Sequence, residues 1–530
     1  MTITSKMNLM VRWINERWSH EAGSGNFWGD TPFPTVSSDW SQDSKNFVIK
    51  LTNTLGTSYV NDFQFSRAGN DIFATTNPSG VALNNEIVSQ FPTVFPHPIR
   101  SGYPSLLAAD GYEGLWHQAP WDNQEDLYIW KDDFSEVLGA HDLKVGALFS
   151  HNIKNEPTTG NNQVIIFCGT NMRTGNAIAD LLVKDLPLGC YFESDHQERV
   201  LGRWHDLEVY GNDTWKVVPT ITLTLGLRWS RYGQPYSVNN HITNFVTRLY
   251  DGADPYSALV QADTRGFGRS LVENYNKEFQ PRVGFAWDIS GHGKTALRLG
   301  AGRYVGRPRI GATLGLGGNP PWTRTVDEGF GAGSTSLNDS PNFRSLDTIN
   351  PGLKSALAIS TSFNVNEHFP PPESWQWNLT ISREVMKNTV VEASYIGNHA
   401  LHIERLLDWN DVVPSARPQV AQAVRANDPI ANDLINSNRR LPGIASIFMT
   451  EATGDSSYHA LQIWANRRFS DRLAFQAAYT WSHAITTFHY HSTAARQIRS
   501  TTISTVATRT LTGGRCLLRT RCTSCQLSRS

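Results

Sequence analysis

The residues able to do chemistry in this chain fall into a few small sets. His489 and His491, in FHYH, have a spacing compatible with a metal pair. Cys516, Cys522 and Cys525 close the chain with a CTSC step that superficially suggests part of a zinc ligand set. No fourth ligand stands at convincing spacing, and the composition of the tail accounts for both sets, so no metal is expected. Gly311, Gly315, Gly317 and Gly318 fall in a loop and not between a strand and a helix, which removes a dinucleotide reading. The paired acids Asp132 and Asp133 read as solvated residues at a strand end. There is no zinc-protease helix motif and no nucleophile elbow. The sequence points away from an enzyme and calls for no cofactor.

What remains is recognition. Arg228, Arg282 and Arg298 each interrupt a polar stripe, and Trp116, Trp121, Tyr250, Tyr256 and Trp322 punctuate long polar segments. Their meaning depends on the elements that hold them. The clearest of these is the stretch 203–231, RWHDLEVYGNDTWKVVPTITLTLGLRWSR. In its second half Ile221, Leu223, Leu225, Leu227 and Trp229 alternate with Thr222, Thr224, Gly226, Arg228 and Ser230. A two-residue period is the signature of a strand with one apolar and one polar face.

The same pattern recurs in five further hairpins, at 47–67, 127–151, 279–304, 374–398 and 458–482. Six tight turns therefore alternate with five long polar loops, so every tight turn lies at one end of the strands and every long loop at the other. The strands run to roughly ten residues and place Trp229, Trp375 and Trp481 near their ends, where an interfacial girdle needs aromatics. A soluble sandwich alternates too, but seldom confines long loops to one end, and no blade repeat of a propeller is present. Within the loop 152–202, residues 176–189 (NAIADLLVKDLPLG) read as a short amphipathic helix packed on the loop.

Composition agrees. The chain is 530 residues long, 39% hydrophobic and 18% charged, with 41 Gly and 17 Trp. No apolar run approaches the ~18 residues of a spanning helix, and a membrane role narrows to a β-barrel. A net charge of −1 and a pI near 7.0 leave no basic stripe for nucleic acid. Cys168 and Cys190 in the body form either one loop disulfide or two thiols.

The segments NDTWKVVPTITLTLGLRW, PRVGFAWDIS with KTALRLGAGRY, SWQWNLTISREV with VVEASYIGN, and SSYHALQIWANRRFSDRLAFQAAYTWSHAI resemble the barrel region of TonB-dependent outer-membrane receptors, with the closest likeness to the Oar-like group. The likeness runs from about the first hairpin to Ile485. It implies an all-β, antiparallel transmembrane barrel with short periplasmic turns and long extracellular loops, set in outer-membrane lipid. In that family ~22 strands enclose a plug, and the plug's TonB box couples the barrel to an energy source for uptake of a scarce ligand.

About a dozen strands are legible here, so the barrel reads as partial and the chain as a fragment, not transport-competent alone. Residues 1–44 read as a poorly defined segment without signal peptide, plug or TonB box, 45–485 as the partial barrel, and 486–530 as an out-of-frame or disordered tail. The arginines Arg228, Arg282 and Arg298 would line the lumen and pair with carboxylates such as Glu208 and Asp288, or contact a plug. The aromatics Trp116, Trp121, Tyr250, Tyr256 and Trp322 would meet the ligand in the loops. A secreted or surface β-rich adhesion or carbohydrate-binding protein is the alternative.

Overall fold

A computed structural model describes residues 2–21, 38–76, 119–158, 197–252, 254–323, 361–426, 447–470 and 473–487, the side chains of 76, 255, 361, 362, 469, 470, 473 and 487 excepted. It also describes the strand backbones at 498–512 and 515–522, and short pieces at 105–107, 164–166, 191–195, 325–328, 434–435 and 437–441. Fifteen long strands follow one another around a single antiparallel sheet. They are β1 (Met7–His20), β2 (Ser38–Leu55), β3 (Tyr59–Thr76), β4 (Trp121–Leu138), β5 (His141–Pro157), β6 (Arg199–Val218), β7 (Ile221–Tyr232) and β8 (Tyr275–Asp288). The series continues with β9 (Thr295–Val305), β10 (Glu373–Met386), β11 (Thr389–Asp408), β12 (Ile447–Ser470), β13 (Leu473–Thr487), β14 (Ile498–Thr512) and β15 (Arg515–Cys522). Each pairs with its sequence neighbours, and a short strand, Thr2–Thr4, folds back on β1.

All six hairpins read from alternation are present in register order. The strand count exceeds a dozen for two reasons. Residues 7–20, within the segment read as poorly defined, form β1 and pair with β2 from Met7 to His20. Beyond Ile485, where apolar alternation ends, the backbone still supplies β14 and β15. Connections at one end are tight, as at Gly139 and Asn388, whose left-handed φ of 61° and 64° lets a short turn follow the strand twist. Connections at the other end include 77–120, 158–198, 233–274, 306–372 and 409–446.

The sheet inverts the burial pattern of a water-soluble protein. Directly opposed residues carry one apolar row across seven strands: Leu223, Phe285, Leu299, Leu379, Tyr395, Leu461 and Trp481. Five of this outward row are solvent-exposed, Leu379 at 42% and Trp481 at 48% among them, and Leu223 and Phe285 are half-exposed. On the opposite face Glu208, Ser230, Gln280, Ser394 and Ser482 are buried. An exposed apolar band this extensive needs lipid against it. On β7 the band runs from Ile221 to Trp229, which at ~3.3 Å per residue and a tilt of about 40° spans roughly 20 Å.

The hydrophobic core sits under the long loops, not between two sheets. Val200 of β6 and Ala452 of β12 join one buried cluster with Ile242, Val246, Leu271, Leu314, Leu316, Val365 and Phe369 from the loops between them. Strands six places apart can share a core only if the sheet curls, so the polar face becomes an inner wall. Among the described residues no pairing joins β1 to β15.

Candidate functional site

The inner wall is built by alternation. Asp62, Asp133, Gly146, Tyr210, Arg228 and Gln280 stand directly opposite one another on β3 to β8. Lys50 reaches Asp62 at 3.1 Å, and Lys131 and Lys144 reach Asp133 at 2.7 and 3.5 Å. The Tyr210 hydroxyl donates to Asp133, and Gly146 makes that possible, because a Cβ there would lie 2.6 Å from Tyr210 and from Asp133 Oδ1. Arg228 pairs with Glu208 at 2.7 Å and lies over the Tyr210 ring at 4.9 Å. Neutralised in this way, charges withdrawn from bulk water keep their hydrogen bonds.

The other lumen arginines behave differently. Arg282 covers the Tyr304 ring at 4.5 Å, and Arg298 donates to Ser382 Oγ at 3.1 Å. Asp288, expected to pair with an arginine, instead caps its own turn by accepting from Gly293 N at 2.7 Å and Ser290 Oγ at 2.8 Å. A strand-end carboxylate followed by Ser-Gly-His-Gly is closer to those backbone N–H groups than to any guanidinium. Asp132 and Asp133, expected at a strand end, lie inside β4, and Asp133 is buried.

Arg303 carries a role that the sequence did not signal. The β8–β9 ladder stops at Arg282–Gly302. Into the split beyond it Arg303 sends bonds to Glu278 Oε2 at 2.7 Å, Glu373 Oε2 at 2.6 Å and the Phe279 carbonyl at 2.7 Å. Two acids on different strands thus hold one guanidinium where backbone pairing fails.

Above the wall the loops form a roof. Helix α1 (Ile310–Leu314) turns inward against β6, so close that a Cβ on Gly202 would meet Leu314 at 2.7 Å. Arg307 secures this segment through Asp206 Oδ2 at 3.0 Å and the Gly233 carbonyl at 3.1 Å, and burial pushes its guanidinium down to about 10. Asn244 and Val365 exchange two bonds, at 2.7 and 3.1 Å. Asn319 donates to the Thr243 carbonyl at 2.8 Å, and Asn364 to the Phe448 carbonyl at 3.1 Å. These fully buried amides tie two loops and the start of β12 together by backbone capture, which composition cannot reveal.

The expected ligand aromatics are dispersed. Tyr256 is 60% exposed at the surface of the roof, and Tyr250 packs on Phe245, Ala258, Ile447 and Met449. Trp322 stacks on His241 at 3.9 Å, and Glu198 holds that imidazole at 2.8 Å. Trp121 is not a loop residue: it opens β4 on the inner face and packs edge-on against Trp40 at 5.8 Å. Trp116, Cys168, Cys190, His489, His491, Cys525 and the segment 176–189 lie outside the described residues. Cys516 and Cys522 lie on β15, described as backbone only.

A curled antiparallel sheet with an apolar outer face, a hydrogen-bonded polar inner face and long loops at one end defines a membrane β-barrel wall. Residues 1–515 match the family described as outer membrane beta barrel domain. The chain belongs to this family, which sets it in the outer membrane as a barrel and not as an enzyme. No curated protein sequence matches it. Similar solved structures include the outer membrane transporter YddB from Escherichia coli, at 10% identity and a TM-score of 0.47, covering 96% of this chain and 54% of that one. The siderophore receptor PirA from Pseudomonas aeruginosa matches at 11% identity and 0.45, covering 96% and 60%. The FrpB iron transporter from Neisseria meningitidis (F5-1 variant) matches at 9% and 0.47, covering 96% and 56%. The chain thus spans a little over half the length of these structures.

Proposed function

We propose that this chain is the barrel portion of a TonB-dependent receptor of the Oar-like group, serving energy-coupled uptake of a ligand. The observation that supports this most is the inner wall. Its row from Asp62 to Gln280 is polar, charge-paired and hydrogen-bonded, as a lumen that encloses a plug or passes a solute requires. A sandwich of an adhesin would turn an apolar face inward instead. The roof over the lumen, with Tyr250, Tyr256 and Trp322 on its loops, is the place for ligand contact, and the energy-transducing TonB system is the partner. The barrel as described, with β1 and β15 unpaired to each other, acts together with further polypeptide.

Cells with the intact locus and cells with it deleted separate the readings. Uptake of a panel of ferric chelates, cobalamin and malto-oligosaccharides is measured with and without a protonophore. The proposal expects at least one uptake to fall to the same low level on deletion and on uncoupling. Unchanged uptake across the panel, with loss of attachment to carbohydrate surfaces, would favour the adhesin.

A further inference from the structure

Beyond transport, the outer face carries a basic patch with no acids of its own. Alternation puts Arg203 and His205 of β6, His151 of β5 and Arg231 of β7 on the lipid-facing side, at the end nearest the long loops. His151 stands directly opposite His205, with Nδ1 2.9 Å from Nε2. Arg231 stands opposite Leu207 and so is a diagonal neighbour of His205, roughly 7 Å away. The hydrogen bonds of the two arginines go to neutral groups: Arg203 to Asn155 Oδ1 at 2.9 Å and the Gly202 carbonyl at 2.7 Å, Arg231 to Asn276 Oδ1 at 3.0 Å.

Among the described residues none of these four forms an ion pair, whereas Arg228 on the inner face, Arg303 in the β8–β9 split and Arg307 in the roof all do. The acid nearest in register, Asp126, is taken by Arg67 at 2.9 Å. Half-buried guanidinium groups beside a lipid phase need a counter-charge, and here the protein does not supply it. Directly below, Phe149, Leu207 and Trp229 lead down to an apolar groove of 690 Å³ lined by Leu227, Pro281, Val283, Ala301, Trp375 and Trp377. Small residues at Pro281 and Ala301 make the dent, and flanking tryptophans deepen it.

We propose that this patch and groove form a binding site for a phosphate-bearing membrane lipid. The phosphate is held by Arg203, Arg231 and the His151–His205 pair, and one acyl chain lies in the groove. Guanidinium forks match phosphate oxygens in geometry as well as charge, and a basic pocket above an apolar cleft selects an anionic head over a neutral one with the same chains.

The test uses the whole chain, refolded and delipidated in uncharged detergent, with lipid retention read by native mass spectrometry. Three probes are compared: dioleoyl phosphatidic acid, dioleoylglycerol and inorganic phosphate. The expected result is retention of phosphatidic acid about tenfold tighter than dioleoylglycerol, no retention of inorganic phosphate, and loss of the preference in the double variant Arg203→Gln/Arg231→Gln. The double variant Arg203→Lys/Arg231→Lys keeps the cations and should keep most of the preference, which separates charge from misfolding. Ala301→Trp, which fills the groove, should weaken both lipids. Equal retention of the two lipids, or a preference that survives Arg→Gln, would overturn the site. Retention of inorganic phosphate alone would overturn the part played by the acyl chain.

Discussion

Substituting Gly146 by alanine tests the inner wall where it is tightest. The new Cβ would lie 2.6 Å from the Tyr210 ring and from Asp133 Oδ1, so the ring must move off and its hydroxyl must leave the carboxylate. A hydrogen bond to a charged group contributes about 1.5–3 kcal/mol. Alanine returns about 0.4–1 kcal/mol by restricting the unfolded chain. The net loss is therefore on the order of 0.5–2.5 kcal/mol, with Asp133 still held by Lys131 at 2.7 Å. The assay is urea unfolding of the protein in lipid vesicles, followed by tryptophan fluorescence, run as a double-mutant cycle. With Tyr210→Ala already in place only Asp133 Oδ1 still lies 2.6 Å from the new Cβ, and Gly146→Ala should then cost clearly less than in the parent. An equal cost in both backgrounds would refute the reasoning, because it would locate the strain in the backbone and not in the Tyr210 contact.

Two further outcomes follow from the same geometry and assay. Leu225→Arg, midway along the outward band of β7, should cost about 2–4 kcal/mol, while Thr224→Arg, one residue away and inward, should cost under about 1 kcal/mol; similar losses at both positions would contradict the assignment of faces. Arg303→Gln leaves Glu278 and Glu373 facing each other in a buried split and should cost about 3–5 kcal/mol, most of it recovered by adding Glu278→Gln; a loss under about 1 kcal/mol would mean that the split is hydrated and the guanidinium dispensable.

The parts of the fold that obey a period could be read from the sequence, and the parts built by capture could not. The six hairpins were legible because Leu223, Leu225 and Leu227, and their counterparts on other strands, alternate with small polar residues. Strand β1 was not, because Met10 and Ile14 on one face and Val11 and Trp13 on the other are all exposed apolar residues, which blurs the two-residue period. Past Ile485 the chain is rich in Ser, Thr and Arg, so the backbone of β14 pairs without an apolar stripe to announce it.

The site divides in the same way. Arg228 with Glu208 followed from their shared polar face, and the register places them near each other across one ladder. Arg303 could not be foreseen, since its role depends on where the β8–β9 ladder stops. Asn244 and Val365 are 121 residues apart in loops with no periodicity, and only the folded roof brings them together. Trp121 reads as a loop residue because the polar run that follows it, Asp122 to Asp126, hides where β4 begins.

The central claim is that one face of the sheet meets lipid and the other a polar lumen. It is tested most directly by single cysteines at Leu223, Thr224, Leu225, Gly226, Leu227 and Arg228 in the vesicle-inserted protein. Each is challenged with a membrane-impermeant maleimide and, after labelling with a fluorophore, with a lipid-borne spin quencher. The account predicts strict alternation: Leu223, Leu225 and Leu227 resist the maleimide and are quenched from the lipid, and the other three react and are not quenched. Uniform reaction along the strand, without quenching from lipid at any position, would contradict it.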